Sequence, residues 1–309
     1  MSEETIRVLL VQGYPSYEFR YLKTMLGREV KSGGAGEKAI ELRTVLQEAD
    51  LEFAQQDETA ERVFPVSREE LFRYDVLIFG DCNPSFFGGA VLTNIADFVK
   101  ERGGGLVVLS GPRFTPLAYR ETPLAELFPI GLDTALLPNP DADLTEAFQP
   151  QPTSLGRATP HLQLADSLPV NLQAWRELPG LYWLLEASDV RPGARVVVEH
   201  PTRTGAMGQK LPAICLQFVG AGKVVFHAID ETWRWSRHRD GEQFYARYWG
   251  QTIRYLSRSK LLGGNRAAEL ATDRESYQRG ETVRLRVRFL DDRLAPAQDD
   301  GVTDRKSVV

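Results

Sequence analysis

The run Gly103-Gly104-Gly105-Leu106-Val107-Val108-Leu109-Ser110-Gly111-Pro112 constrains the fold more than any other stretch of this chain. Four consecutive apolar residues, entered through glycines and left through a second tight turn, read as a strand buried on both faces. Such strands belong to parallel sheets covered by helices above and below. In open α/β sheets, ligands and nucleophiles gather at the carboxyl ends of the strands, which is where Ser110 stands.

The preceding hundred residues repeat the pattern. Ile6 to Val11 is an apolar run broken only by Arg7 and followed by Gly13. Pro15-Ser16 opens a helix, with Ser16 as N-cap, Glu18 in the first turn, and Phe19, Leu22 and Leu26 on one face. A glycine-rich break over 32–36 precedes a second strand, Ile40 to Leu46. Ser67-Arg68-Glu69-Glu70 is a capping box ahead of a short helix, and Asp75 to Gly80 is a third strand. Val91, Leu92, Ile95, Phe98 and Val99 make a helical stripe that ends near Gly103. Unalternated strands alternating with helices predict a doubly wound, mostly parallel sheet with right-handed crossovers.

From Thr115 to Leu178 the chain is rich in proline, which predicts loops with short helices near Leu124–Leu127 and Leu172–Leu178. Tyr182–Glu186 and Arg195–Glu199 read as strands joined through Pro192-Gly193. Ala213–Phe218 and Lys223–Ile229 read as a hairpin turning at Gly220-Ala221-Gly222. Gly241 to Ser257 is a long helix with Tyr245, Trp249, Ile253 and Leu256 on one stripe. Leu262-Gly263-Gly264-Asn265 marks a boundary between a domain over 1–262 and a segment over 263–309. In that segment Thr282 to Phe289 alternates strictly, as a half-buried antiparallel strand does, and we expect the first strands of an incomplete β domain. The tail from Asp304 to Val309 carries no structural signal.

Bulk properties exclude several functions. A net charge of −5 with interspersed signs leaves no nucleic-acid footprint. No stretch of 18 apolar residues is present to span a membrane, and Met1 to Thr5 lacks a basic and apolar leader pattern. Cys82 and Cys215 lie in or beside apolar strands and read as reduced, buried thiols. The four histidines, His161, His200, His227 and His238, are scattered without metal-ligand spacing, and no phosphate-loop or dinucleotide glycine pattern occurs. No metal and no cofactor is expected.

The candidate chemistry is sparse. Ser110 sits at the elbow, but Gly111 follows directly and Pro112 removes one N–H that an oxyanion hole would use. Cys82 follows Gly80-Asp81 at the carboxyl end of the third strand. His227 and Asp230 offer a base and its orienting acid, yet three-residue spacing puts them on opposite faces of a strand unless the chain bends after Ala228. The two tryptophans and four basic residues of Trp233 to Arg239 suit an anion or an aromatic ligand, or a loop ion-paired with Asp230 and Glu231. Tyr14, Glu18 and Arg20, after the first strand, share the ligand-facing edge with Asp81 and Arg113; a local Glu18–Arg20 role at the helix start is the simpler expectation. The weak ligand-binding set is thus Tyr14, Glu18, Arg20, Asp81, Arg113, Trp233 and Arg234. The weak catalytic set is Ser110, Cys82, His227 and Asp230.

Several separated blocks, in order, resemble one family. They are Val8–Val11 with Gly13-Tyr14-Pro15-Ser16-Tyr17-Glu18-Phe19-Arg20-Tyr21-Leu22, then Phe64-Pro65-Val66-Ser67-Arg68-Glu69-Glu70-Leu71, then Gly103–Pro112. Gly220-Ala221-Gly222-Lys223-Val224-Val225-Phe226 leading to Asp230-Glu231-Thr232-Trp233-Arg234-Trp235, and Tyr245–Leu256, complete the set. Over residues 5–258 the chain resembles the class I glutamine amidotransferase-like domain of large bacterial membrane proteins that also carry a von Willebrand factor A domain. The resemblance implies a flavodoxin-like three-layer α/β sandwich, in which working enzymes place a cysteine at the elbow and a His and Glu after a later strand. Here Ser110-Gly111 fills the elbow without cysteine, and Phe226-His227-Ala228-Ile229-Asp230 only loosely echoes the Phe-His-Pro-Glu of the amidotransferases. Asp273 to Glu281, followed by the alternating strand, looks like the start of an immunoglobulin-like β-sandwich. The expectation is a non-catalytic module for protein interaction or ligand binding, within a parent tethered to the bacterial envelope on an undetermined side. A hydrolase using Ser110 or Cys82 with His227 and Asp230 is the alternative. Partners are other domains or proteins, or a small polar ligand.

Overall fold

Glycine and apolar runs set the strands, and the strands set the layers. In a computed structural model, which describes residues 5–29, 40–49, 52, 56–138, 146–237, 241–263, 268–272 and 285–289, the first half runs β1 (Ile6–Gln12), α1 (Tyr17–Glu29), β2 (Ile40–Leu46), α2 (Arg68–Leu71), β3 (Val76–Phe79), α3 (Gly89–Lys100) and β4 (Gly105–Leu109). The second half runs β5 (Gln151–Pro152), α4 (Ser154–Arg157), α5 (Leu168–Glu177), β6 (Arg195–Thr204), β7 (Lys210–Val219), β8 (Gly222–His227), a 3-10 segment Thr232–Arg237 and α6 (Gly241–Gly263). One eight-stranded sheet has the order β2-β1-β3-β4-β8-β7-β6-β5. From β2 to β8 all neighbours are parallel, with Val8 beside Val76, Val76 beside Gly105 and Gly105 beside Lys223. From β8 to β5 they are antiparallel. The order reverses between β1 and β3, which makes that point the topological switch of the parallel half.

The glycine run before β4 is a packing requirement. A Cβ on Gly104 would stand 2.1 Å from the Phe98 ring of α3, and one on Gly105 would stand 2.5 Å from Leu256 Cβ of α6. Successive strand residues point to opposite faces, so α3 and α6 cover opposite faces of the sheet. Gly103 has φ +77, a left-handed turn that glycine adopts without strain. On the α6 face, α1 joins α6 through the Tyr245–Glu18 hydrogen bond and the Arg28–Glu242 ion pair. On the other face, Arg68 of α2 pairs with Asp97 of α3. The core fills both interlayer spaces, with Leu9, Leu10, Leu22, Phe98, Phe226 and Trp249 fully buried.

Several elements differ from the sequence expectation. Tyr182–Glu186 is no strand. Its backbone bonds one residue at a time, Leu185 with Ala228 and Glu186 with Leu136, and the preceding Leu181 pairs singly with Phe148. The N–H groups of Tyr182 and Trp183 go instead to the Glu231 carboxylate, at 2.6 and 2.8 Å. The helix expected at Leu172–Leu178 starts earlier, at Leu168, where Pro169 fits the first turn. β6 runs on to Thr204, and Leu124–Leu127 is a 3-10 turn over Ala125–Leu127.

Contacts divide the chain into Met1–Lys260 and Leu261–Val309. In the second unit, β9 (Ala268–Thr272) and β10 (Leu285–Phe289) pair antiparallel, with Leu285 opposite Thr272. The glycine-rich break at 32–36, Gly264-Asn265, His238 and the segments 273–281 and 304–309 lie outside the described residues.

Candidate functional site

The parallel strands deliver four loops to one edge. These are Gly13-Tyr14 after β1, Gly80-Asp81-Cys82 after β3, Ser110-Gly111 after β4 and Ala228 to Glu231 after β8. At the switch point the loops fill the crevice themselves. A Cβ on Gly13 would lie 2.1 Å from the Asp81 carbonyl oxygen, and one on Gly80 would lie 1.6 Å from Gln12 Oε1. The Asp81 carboxylate is committed to backbone. It accepts from the N–H of Arg113 at 2.9 Å, of Phe114 at 2.6 Å and of Thr115 at 2.8 Å. Asp81 therefore holds the post-β4 loop down, and Gly111 is required because a Cβ there would meet Asp81 Cβ at 2.4 Å.

Both candidate nucleophiles are sealed. Ser110 is 1% exposed; its N–H donates to the His227 carbonyl at 3.0 Å, and its Oγ is a buried atom without a hydrogen-bond partner among the described residues. Cys82 is 0% exposed and its thiol donates to the Val11 carbonyl at 3.3 Å. Burial, reinforced by the Asp81 charge, pushes that thiol well above its ordinary range. Nucleophilic cysteines need the opposite, a partly exposed electropositive setting.

His227 faces away from them. Leu109 is its register partner on β4, and Gly105 shows that odd-numbered β4 positions face α6. Alternation therefore sends Ser110 toward the opposite face. The His227 ring meets Tyr248 Oη through Nε2 at 2.6 Å and lies 5.2 Å from the Trp249 ring. Burial holds it neutral by lowering its pKa to about 3. Asp230 lies past the end of β8, half-buried, with its pKa raised to about 7 by burial and by the charges of Glu231 and Asp81. Among the described residues no side-chain hydrogen bond joins His227 to Ser110, Cys82 or Asp230, so the base, acid and nucleophile of the hydrolase alternative are not assembled.

The polar groups of the edge form two clamps. Arg113 stacks over the Tyr14 ring at 4.2 Å and pairs with Glu48 at 3.1 Å. Tyr14 is pushed up to about 12 by burial and by the charges of Asp81 and Asp230, so it is a neutral hydroxyl beside these acids. Arg234 lies between the rings of Trp233 and Tyr182, at 4.6 and 4.7 Å, and its Nε donates to Glu231 Oε1 at 2.7 Å. Asp230, next to Glu231 in the post-β8 loop, acts electrostatically on Tyr14 and is itself acted on by Arg234. Of the ligand-binding candidates, Tyr14, Asp81, Arg113, Trp233 and Arg234 do reach this edge.

Glu18 and Arg20 do not share a local role. Glu18 is 3% exposed and reaches across to the 3-10 segment and α6. It accepts from the Thr232 hydroxyl, from the Trp233 N–H at 3.0 Å and from Tyr245 Oη at 3.2 Å, while Trp249 Nε1 donates to Thr232 at 3.1 Å. Burial outweighs these bonds and raises its pKa to about 8. Arg20 is exposed on the outer side of α1. Glu48 and Tyr182 had no local sequence signal, because their roles come only from partners far along the chain. Among the described residues no cluster of His, Cys, Asp or Glu is arranged to hold a metal ion, and no helix is long and apolar enough to cross a membrane.

No family model matches the chain, and no curated protein matches it. Among solved structures it is similar to the cytoplasmic protein STM3548 from Salmonella typhimurium, at 19% identity and a TM-score of 0.51, over 81% of this chain and 99% of that one. A second Salmonella typhimurium cytoplasmic protein, STM1381, matches at 19% identity and a TM-score of 0.47, over 81% of this chain and 99% of that one. A ThuA-like protein from Parabacteroides merdae matches at 10% identity and a TM-score of 0.42, over 83% of this chain and 91% of that one. The first of these likenesses shows a shared α/β fold and nothing finer, and the other two carry no argument.

Proposed function

We propose that this chain is a non-catalytic binding module on a class I glutamine amidotransferase-like scaffold. Its strand order β2-β1-β3-β4-β8 is that of a flavodoxin-like sheet, and helices lie on both faces. That supports the three-layer architecture implied by the sequence resemblance. The observation that carries the functional reading is the closure of the elbow. Ser110 and Cys82 are both buried, and neither side chain hydrogen-bonds to the His227 ring. What remains open to a polar ligand or a partner is the rim formed by Arg113, Asp230 and the Arg234 clamp. On this reading the module works inside a larger envelope-associated bacterial protein with a von Willebrand factor A domain, and β9 and β10 begin an immunoglobulin-like neighbour. The similar Salmonella structure is named a cytoplasmic protein. Together with the two unbridged cysteines, that name favours the cytoplasmic side of the envelope.

The test is hydrolysis of glutamine, followed as ammonia release, and of a nitrophenyl ester, by the full chain and by Ser110→Ala and Cys82→Ala. We expect background rates throughout. Turnover that either substitution abolishes would establish the hydrolase alternative.

A further inference from the structure

A second concave site lies away from the carboxyl edge, on the α1–α6 face. A cleft of about 670 Å³ opens between α1, the 3-10 segment and the start of α6. That volume falls within the range of small-molecule pockets. Arg20, Thr24 and Arg28, four residues apart on α1, form one wall, and Arg237 stands on the 3-10 wall. Half-buried Tyr21 supplies most of the apolar surface, with the buried Met25 and Tyr245 behind it. Arg28 pairs with Glu242 across the cleft. Arg20 has no ion-pair partner among the described residues, and the Arg237 Nη1 donates to a neutral acceptor, Tyr21 Oη, at 3.2 Å. Three arginines against one glutamate leave a local charge of +2 on a chain whose net charge is −5. Glu18, beneath Tyr245, is held protonated at neutral pH by its burial and does not cancel that charge.

We propose that this cleft binds a small organic phosphate monoester. Arg20 and Arg237 take the phosphate dianion, and its apolar group lies against Tyr21, Met25 and Tyr245. Charge and composition both point that way. Two uncompensated guanidinium groups match a dianion and fork onto phosphate oxygens. The apolar wall explains why an ester suits the cleft better than the bare anion.

Calorimetric titration of the full chain with phenyl phosphate at neutral pH tests this. Saturable one-to-one binding is expected. It should weaken at least 10-fold in Arg20→Ala/Arg237→Ala and stay within twofold in Arg102→Ala/Arg176→Ala, which makes the same charge change on remote exposed positions. Thr24→Trp, which fills the cleft and keeps its charges, should also weaken binding at least 10-fold. Benzoate, a monoanion with the same ring, and inorganic phosphate, which has the phosphate oxygens without the ring, should each bind at least 10-fold more weakly. Absent saturation, equal losses in the remote double variant, full binding by Thr24→Trp, or benzoate or inorganic phosphate binding as tightly as phenyl phosphate would each overturn the proposal. These outcomes are independent of the hydrolysis assays, because none of the substituted residues belongs to the elbow.

Discussion

Glu18 makes stability depend on pH in a direction opposite to that of an ordinary carboxylate, and the size of the effect follows from its burial. In the fold it titrates at about 8, against an ordinary value of 4.5. A carboxyl whose folded pKa is raised stabilises the fold below the unfolded value and loses that contribution as pH rises toward the folded value. Between those limits the unfolded chain has released the proton and the folded chain keeps it. Each pH unit in the window then costs about 1.4 kcal/mol, which accumulates to about 3 kcal/mol by neutral pH. Glu18→Gln removes the titration and keeps the geometry. Its carbonyl can accept from the Trp233 N–H while its NH₂ donates to the Thr232 and Tyr245 hydroxyls, which rotate. Glu18→Ala instead orphans those donors, at roughly 1–3 kcal/mol for each that stays buried and unpaired. The assay is urea denaturation followed by tryptophan fluorescence from pH 5 to pH 8, comparing wild type with both variants. Glu18→Gln should gain on wild type by about 1.4 kcal/mol per pH unit across most of that range, whereas Glu18→Ala should be destabilised even at pH 5. A constant difference between Glu18→Gln and wild type at every pH would refute the reasoning, because it would mean that Glu18 is not protonated in the fold.

The acid side rests in large part on His161 and His227, which burial holds neutral with pKa values of about 3. Their contribution is present above the ordinary histidine value of 6.5 and is lost as pH falls, so at pH 5 each costs about 2 kcal/mol. His227→Gln should flatten this acid limb in the same denaturation series. Gly105→Ala drives a methyl toward Leu256 Cβ at 2.5 Å and should destabilise by about 1–3 kcal/mol, read as a lower urea midpoint with an unchanged slope. Asp81→Ala orphans the N–H groups of Arg113, Phe114 and Thr115 and should cost about 3 kcal/mol or more, with Asp81→Asn recovering part through its single carbonyl oxygen.

The parallel half was legible because its information is local. Ile6–Val11, apart from Arg7, and Leu106–Leu109 are apolar runs bounded by turns, and a strand buried on both faces needs nothing else to declare itself. The edge strand Ile40–Leu46 shows itself by Ile40, Leu42 and Val45 among polar residues. The reason for Gly104-Gly105 was not legible, since Phe98 and Leu256 approach the strand from helices on either side. Tyr182–Glu186 carries a strand composition, yet Glu231 takes its amide hydrogens, and only the fold brings those residues together. Glu18 and Asp81 turn out to hold the chain's own groups, for a shared reason. A carboxylate near a strand end looks the same in sequence whether it faces a ligand or caps its own backbone. The sequence placed His227 and Asp230 near the edge, but the burial of His227 against Tyr248 and Trp249 depends on α6, which packs on the sheet from far along the chain.

Whether the elbow is sealed can be read by residue-level chemical labelling of the folded chain. It would be treated with a fluorophosphonate and, separately, with iodoacetamide, and adducts located by mass spectrometry. A sealed elbow predicts no adduct at Ser110 or Cys82 in native buffer, and alkylation of Cys82 once the chain is unfolded in denaturant. Stoichiometric modification of Ser110 or Cys82 in the native protein would contradict the non-catalytic account.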